Sequence, residues 1–229
     1  MRIFVAPLAA GDLTVTGDEH HYLARVRRAR VGDAVELVDG EGRRAAATIL
    51  AITDTSTALR VEAPEVIPPA LPRVRVLLPL IKGDRMDTCL EKLVEVGVDE
   101  IVVWPAARSV VKLDPDRRDA RLAKYQAALV AAARQCGRAQ VPTVTWADSL
   151  AAATALATGA RYVLDPTSDA PLEVSGDDLT FVSGPEGGLA PAELDLLASF
   201  TSVGLGPRVL RAETAPVVAV ALARALTRS

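Results

Sequence analysis

The sequence is poor in histidine, cysteine and aromatic residues. Its 229 residues include two histidines, two cysteines, three phenylalanines, three tyrosines and two tryptophans. The adjacent histidines, His20 and His21, leave too little imidazole for a Ser-His-Asp triad, a Cys-His pair or a multi-histidine metal site elsewhere. Cys89 and Cys136 form no CxxC pair, so we expect reduced thiols, no disulfide framework and no metal. So few aromatic rings also argue against an extensive base-stacking platform.

Long apolar runs and a recognisable signal peptide are missing as well. Charges interrupt every apolar stretch before it reaches the roughly 18 residues that a membrane helix needs. The opening segment, MRIFVAPLAAGD, has one arginine and a short mixed apolar run, unlike a secretory leader. We therefore expect a cytoplasmic protein with no membrane partner. The 26 Lys and Arg residues against 29 Asp and Glu exclude a strongly cationic protein but do not describe local patches.

A proline-rich segment divides the chain into two regions of different character. Ala63–Pro72 holds four prolines, which disfavour helix and central strand and favour an extended connector. Before it, short strand-like runs and a Gly40–Gly42 turn predict a small β-barrel or meander, with Asp18–Arg28 as one possible helix. The runs predicted as strands there are Ala34–Asp39, Arg43–Ile52 and Ala58–Glu62.

After the connector, short apolar strands alternate with helical patterns. Met86, Cys89, Leu90 and Leu93 follow the i, i+3, i+4, i+7 spacing of an amphipathic helix. The alternation predicts an α/β domain with a mostly parallel sheet, whose ligands would bind at the carboxyl ends of the strands. Predicted strands are Arg73–Leu80, Glu100–Trp104, Arg161–Leu164, Leu179–Ser183 and Ser202–Leu205. Predicted helices are Arg117–Gln135, Ser149–Ala157, Pro191–Phe200 and Thr214–Leu226.

Four segments are candidates for binding or chemistry. SGPEGG, from Ser183, joins a strand to a helix, either as a tight turn or as a loop whose main chain a ligand approaches closely. LGPRVLRAET, from Leu205, places two arginines and a glutamate at another strand end, as ion pairs or as a site. RQCGRAQVP, from Arg134, is either a glycine-capped helix end or an RNA or phosphate contact. HHYLARVRRAR, from His20, is either a solvated face or a set of phosphate contacts.

Taken together, these motifs resemble the bacterial 16S ribosomal RNA uridine N3-methyltransferases of the SPOUT, or trefoil-knotted, superfamily. The resemblance spans nearly the whole chain. It is strongest in the pairing of GPEGG with LGPRVLRAET at this separation. The five segments that carry it are HHYLARVRRARVGD, KGDRMDTCLEKLVEVGV, RQCGRAQVP, SGPEGGLAPAE and LGPRVLRAETA.

The resemblance implies a PUA-like, RNA-binding β-barrel at residues 1–69 and a knotted methyltransferase domain at residues 71–229, paired as a homodimer. S-adenosylmethionine would lie in the knotted loops, Gly184–Gly188 and Leu205–Leu210, with Leu164-Asp165-Pro166 as a third. The implied cofactor-binding residues are Leu164, Gly184, Pro185, Glu186, Gly187, Gly188, Leu205, Gly206, Val209 and Leu210. We also expect helix Thr214–Leu226 to take part in the dimer, because its apolar positions exceed one stripe.

The implied reaction methylates N3 of one uridine in small-subunit rRNA. Because this imide nitrogen is a poor nucleophile until it loses its proton, we expect Arg211 to stabilise charge on the base and Glu213 or Glu186 to accept the proton or orient Arg211. Sequence does not rank the two glutamates, and either could instead favour its following helix. Expected RNA contacts are Arg25, Arg27, Arg28, Lys82, Arg85, Arg108 and Arg138.

Three departures from the usual family pattern stand in the motifs. Arg134 replaces a more common Glu, Ala212 replaces a common Thr, and Leu93-Val94-Glu95-Val96 varies a more typical Ala-Thr-Glu-Leu. Two other functions stay open at this point. One is a knotted methyltransferase that acts on transfer RNA, and the other is a non-catalytic RNA-binding or ribosome-assembly factor whose glycine loops are mere turns.

Overall fold

The computed structural model describes residues 1–109, 111 and 115–227, and within it the chain forms two compact units. The first comprises Met1–Pro69 together with Ala133–Val141, and the second comprises Ala70–Ala132 together with Pro142–Ser229. Residues 133–141 were expected in the second domain, residues 71–229. They join the first because Gly40 O accepts the Val141 amide at 2.8 Å and Ala139 O accepts the Gly42 amide at 3.3 Å.

The first unit is a six-stranded sheet in the order β1-β3-β4-β5-β2, with β6 paired to β4. Strand β1 runs parallel to β3, whereas the other pairs are antiparallel. The strands are β1 (Arg2–Phe4), β2 (Gly11–Val15), β3 (Ala34–Val38), β4 (Arg43–Ile52), β5 (Thr57–Val61) and β6 (Glu65–Val66). Alternate residues point to one side, where Leu23, Leu37, Ile49 and Leu59 are fully buried in its core.

Two features of this unit differ from the sequence prediction. The predicted helix Asp18–Arg28 is a short α-helix, α1 (Gly17–His21), that continues as a π-helical turn over Tyr22–Val26. The predicted connector contributes β6, whose Glu65 and Val66 pair with the start of β4. These two residues lie between prolines, so the proline-rich composition concealed a short edge strand.

The second unit is a six-stranded sheet in the order β12-β10-β11-β7-β8-β9, with every neighbouring pair parallel. Its strands are β7 (Arg73–Pro79), β8 (Glu100–Trp104), β9 (Thr143–Trp146), β10 (Ala160–Leu164), β11 (Asp178–Val182) and β12 (Thr201–Val203). Its helices are α2 (Asp84–Val96), α3 (Arg118–Cys136), α4 (Leu150–Thr154), α5 (Pro191–Leu196) and α6 (Ala215–Leu226), with a 3-10 turn over Pro115–Arg117.

Helices bury the strands of this sheet. The amphipathic spacing predicted for α2 is confirmed, because Met86, Cys89, Leu90 and Leu93 are all buried. Helix α2 packs on α6, which in turn contacts β7, β10 and β11. A separate cluster gathers α4 and the residues after α5 with Leu77, Val102, Trp104, Val163 and Val182. The α/β fold class with a parallel sheet is thus confirmed, and its strand ends are available for a site.

Candidate active site

A cavity of about 700 Å³ lies at the carboxyl ends of β10, β11 and β12. These strands are neighbours or next neighbours in one parallel sheet, so the loops that follow them meet at the same edge. The lining residues are Arg85, Val163, Leu164, Asp165, Pro166, Thr167, Gly184, Pro185, Glu186, Gly188, Leu189, Leu194, Val203, Leu205, Gly206, Arg208, Val209, Leu210, Arg211, Ala212 and Ala215. The two glycine motifs are therefore walls of one pocket.

The loop after β10 is held in place by Asp165. One carboxylate oxygen, Oδ1, accepts hydrogen bonds from the amide and hydroxyl of Thr167 at 2.8 and 2.7 Å. The other, Oδ2, accepts from the Ser202 hydroxyl at 3.1 Å. These bonds, the Thr167 hydroxyl first, lower the pKa of Asp165 below its usual value, because they favour the charged carboxylate. The loop is thereby tied to β12.

The loop after β11 forms a tight turn closed by a bond from the Gly188 amide to the Pro185 carbonyl at 2.9 Å. Gly184, Pro185, Glu186 and Gly188 line the pocket, as the sequence analysis expected of them. Gly187 is not among the lining residues. A Cβ on it would lie 3.0 Å from the Arg108 Cβ, so this glycine makes room for a neighbouring loop rather than for a ligand.

Arg108 and Glu193 brace that turn from outside. The Arg108 guanidinium lies 3.4 Å from the Gly187 carbonyl and 3.2 Å from the Leu189 carbonyl, both acceptors. The buried Glu193 carboxylate accepts the Ala107 amide at 2.8 Å and the Ala190 amide at 2.7 Å. This carboxylate therefore joins the loop after β8 to the start of α5. Arg108, expected as an RNA contact, has this bracing contact as well.

The loop after β12 passes very close to the loop after β10. A Cβ on Gly204 would lie 2.0 Å from the Ser168 carbonyl oxygen, and the Gly204 amide donates to the Ala170 carbonyl at 2.9 Å. So close a passage leaves no room for a side chain at position 204. Beyond it, the Val209 side chain stands 80% exposed at the pocket wall. The Arg211 carbonyl then accepts the Thr214 and Ala215 amides, which opens α6.

Two arginines and two glutamates gather at the pocket. Arg85 Nη1 lies 3.8 Å from Glu186 Oε1, and Arg85 Nε lies 3.8 Å from Glu213 Oε1. Arg211 Nη1 lies 3.9 Å from the same Glu213 oxygen. Arg85, expected as an RNA contact, is thus a member of the pocket. Glu213 is not among the lining residues and stands behind the two arginines.

The remaining predicted RNA contacts lie outside this pocket. Arg25, Arg27 and Arg28 are exposed in the first unit, where the Arg27 guanidinium lies over the Tyr22 ring at 5.9 Å. Lys82 is exposed just before α2. Arg138 is half-buried after the end of α3, where its amide and that of Gly137 both donate to the Ala133 carbonyl at 2.9 Å. The helix-cap interpretation of that segment therefore holds.

The structure shows the surroundings of the three departures from the family pattern. Arg134 pairs with Glu19 at 3.3 Å and lies 5.3 Å from the centre of the Phe4 ring, so it acts within the first unit. Ala212 is buried at the pocket wall, where a hydroxyl would be one more polar group. Leu93 and Val94 are fully buried parts of the α2 core.

Sequence reasoning missed several residues of the pocket wall. Thr167 and Leu194 lie just beyond the recognised motifs, whereas Leu189 and Arg208 lie within them but were not assigned to the cofactor. Val163 and Val203 are strand residues that only the sheet order brings together. Proximity to the end of a predicted strand is the one signal that points to them.

The pocket fits S-adenosylmethionine, the cofactor that the resemblance implies. Its volume lies within the roughly 300–1,000 Å³ typical of small-molecule sites. Its walls offer apolar side chains for an adenine, main-chain groups at Gly184 and Gly206, and both charge signs for an amino-acid tail.

Over the described residues, no group of three His, Cys, Asp or Glu side chains could hold a metal ion, and no helix is long and apolar enough to cross a membrane.

Comparisons with known proteins agree with this geometry. The family model described as "RNA methyltransferase domain" matches residues 69–224, and "RNA methyltransferase PUA domain" matches residues 15–62. Ribosomal RNA small subunit methyltransferase E of Mycobacterium tuberculosis is 35% identical over 226 residues, which cover 93% of this chain and 86% of that protein.

Two solved structures share the fold over nearly the full length. A methyltransferase of Legionella pneumophila in complex with the bound cofactor SAM has a TM-score of 0.81 and 25% identity, covering 98% of this chain and 97% of that chain. Ribosomal RNA small subunit methyltransferase E of Neisseria gonorrhoeae, bound to S-adenosyl methionine, has a TM-score of 0.80 and 27% identity, with coverage of 98% and 97%.

Proposed function

The chain belongs to the RNA methyltransferase family, and from that membership we propose that it uses S-adenosylmethionine to methylate N3 of one uridine in 16S rRNA of the small ribosomal subunit. The observation that carries the proposal is the single pocket formed by the loops after β10, β11 and β12, with Arg85, Arg211 and Glu186 in its wall. Relatives named for small-subunit rRNA methylation and solved with this cofactor support it.

The chemistry divides between the cofactor and the protein. S-adenosylmethionine supplies a methyl group activated by attachment to a sulfonium. The protein holds the donor against apolar and main-chain groups of the pocket and places the uracil at the end where Arg211 stands. Because N3 reacts only as its proton leaves, the guanidinium stabilises negative charge on the uracil carbonyls and a carboxylate of the cluster takes the proton. No covalent bond between enzyme and base is needed.

The direct test is methyl transfer to defined RNAs. The chain is incubated with labelled S-adenosylmethionine and small ribosomal subunits that lack the modification, or with deproteinised rRNA, followed by nucleoside analysis. We expect label in 3-methyluridine at one position. Label only in transfer RNA would replace this function by a transfer RNA methyltransferase. Absence of cofactor binding in titration calorimetry from micromolar to millimolar concentrations would favour a non-catalytic RNA-binding factor.

We also propose that residues 1–69, which form most of the first unit, are a domain that binds the RNA. Its exposed Arg25, Arg27 and Arg28 are suited to phosphate contacts, which position a protein without reading sequence. The match of residues 15–62 to an RNA methyltransferase PUA domain supports this. A substrate of this kind is found where ribosomes are, so we propose a cytoplasmic location.

A homodimer is part of the proposal. On α6, Leu222 and Leu226 are 39% and 51% exposed while Ala219, Val220 and Ala223 are buried, so the helix has an apolar face beyond its packed stripe. Apolar side chains left at a surface in this way favour association. Sedimentation equilibrium is expected to give about twice the chain mass of 24.1 kDa, and the chain mass itself would contradict the dimer.

A further inference from the structure

The two glutamates of the charge cluster have different surroundings. Glu186 is part of the pocket wall, and its side chain is 27% exposed. Glu213 is outside the wall, 15% exposed, behind two arginines. On the basis of the proposed function, we propose that Glu186 accepts the N3 proton of the target uridine and that Glu213 is a positioning residue that holds Arg85 and Arg211.

The contacts of Glu213 are directed at the protein. Its Oε1 atom attracts both guanidinium groups, at 3.8 Å from Arg85 and 3.9 Å from Arg211, while its Oε2 atom is buried with no hydrogen-bond partner in the part of the chain described. Cys89 lies one helical turn after Arg85 on α2. Burial, and then the charge of Glu213, raise the pKa of the Cys89 thiol to about 12, because both favour the neutral thiol.

The contacts of Glu186 leave it accessible to a ligand. Its single ion pair among the described residues is with Arg85, at 3.8 Å, whereas Glu213 Oε1 lies 3.8 and 3.9 Å from two guanidinium groups. A proton acceptor must come within hydrogen-bond reach of the proton it takes, and a wall residue meets that condition. Arg85 lies 3.8 Å from both carboxylates, so it links the position of Glu186 to that of Glu213.

The N3 lone pair of uracil forms the new N–C bond to the methyl carbon, the methyl–sulfur bond breaks and its electron pair stays on the sulfur, which becomes a neutral thioether. The N3 proton passes to Glu186. Negative charge that develops on the neighbouring carbonyl oxygens is stabilised by Arg211 and by Arg85, both fixed from behind by Glu213.

The test is single-turnover methylation of unmodified small subunits at saturating S-adenosylmethionine, measured against pH. We expect Glu186→Gln to lose about 100-fold or more near neutral pH and to recover tenfold per pH unit in alkali, where N3 ionises without help. We expect Glu213→Gln to lose about 10- to 100-fold at every pH, with the parental profile shape, because the arginines are misplaced but the acceptor remains. Glu91→Gln, on the exposed side of α2, is the matched control and should keep the parental rate.

Arg85→Met removes the Arg85–Glu213 contact from an exposed side chain, together with the Arg85–Glu186 contact and one guanidinium beside the uracil. It should lower the rate at every pH without alkaline recovery, which tests the positioning role if Glu213→Gln fails to fold. Alkaline recovery in Glu213→Gln or Arg85→Met, or a parental profile in Glu186→Gln, overturns the assignment. If parental protein forms 3-methyluridine and the two glutamine variants behave alike, only this division of roles is wrong. If the parental protein forms none, the proposed function fails and the inference falls with it.

Discussion

Single residues decide whether the pocket forms, and Gly204 is the most constrained of them. Two loops pass so closely here that a Cβ added to Gly204 would lie 2.0 Å from the Ser168 carbonyl oxygen. This oxygen is a backbone atom, so it cannot rotate away. By contrast, a Cβ on Gly184 would meet the Leu189 Cγ at 3.4 Å, an ordinary contact. The two glycines therefore serve different purposes. Gly204 allows two loops to pass close together, and Gly184 allows a ligand to approach the main chain closely.

We predict that Gly204→Ala destabilises the protein by about 3 kcal/mol, at the upper end of overpacking costs. The reason is that the loops after β10 and β12 must move apart to accept the methyl group. Thermal unfolding should show a fall of roughly 2–4 °C per kcal/mol, and calorimetry a loss of S-adenosylmethionine affinity. Gly184→Ala is the stability control and should unfold near the parental temperature. Equal unfolding temperatures for the two variants would show that the loops after β10 and β12 are not packed so closely at Gly204.

A second residue-scale prediction concerns acid. Hydrogen bonds from Thr167 and Ser202 lower the pKa of Asp165 in the folded state from the usual 3.8. A carboxylate with a lowered folded pKa stabilises the fold above its unfolded pKa and loses that contribution as pH falls through the folded pKa. Asp165→Asn should therefore unfold more easily than the parent near pH 7, and the difference should shrink below about pH 4. A difference that stays constant in urea unfolding from pH 7 to pH 3 would contradict this.

At the scale of helices and strands, strands with regular apolar patterns could be predicted, but some strands at the sheet edges could not. The predictions Arg43–Ile52 and Glu100–Trp104 match β4 and β8 residue for residue, because long alternating or continuous apolar runs specify a strand. Strands β2 (Gly11–Val15) and β9 (Thr143–Trp146) were missed. Both lie at sheet edges, where partly exposed residues leave little periodic signal and pairing with a distant strand decides the structure.

The start of α5 gives an element-scale prediction. The buried Glu193 carboxylate accepts two amides, so Glu193→Gln puts an NH2 group opposite one of those donors. We expect a loss of about 1–3 kcal/mol from the unpaired amide, together with faster hydrogen exchange in the loops at Ala107 and at Ser183–Gly188. Asp195→Asn, exposed on the same helix, is the control. Parental exchange rates in those loops would exclude the bracing role.

At the scale of the whole molecule, the sequence indicated the site's motifs but not their exact membership. GPEGG and LGPRVLRAET predicted the pocket because both are strand-end loops, and their shared lining of one cavity agrees with that. The position of Gly187 behind Arg108, and the entry of Arg85 into the pocket, depend on how α2 and the loop after β8 pack on the sheet. Such placement over long sequence distances leaves no local pattern to read.

The proposed RNA-binding role of the first unit predicts a salt effect. Changing Arg25, Arg27 and Arg28 together to Ser should weaken RNA binding and reduce the slope of log K against log salt by about one for each lost phosphate contact. Affinity for S-adenosylmethionine, measured by calorimetry, should not change. Arg60→Ser is the control, since Arg60 is exposed in the same unit but paired with Asp12. An unchanged salt slope in the triple variant would place the RNA elsewhere.

We propose that three strand-end loops form one pocket that presents a methyl donor to a uridine beside Arg211 and Glu186. A crystal structure of this chain grown with S-adenosylmethionine tests it most directly. We predict the donor within the loops after β10, β11 and β12, with its methyl group directed to the side where Arg211 and Glu186 stand. A donor bound outside these loops, or one whose methyl group points away from both side chains, would exclude this arrangement of the pocket.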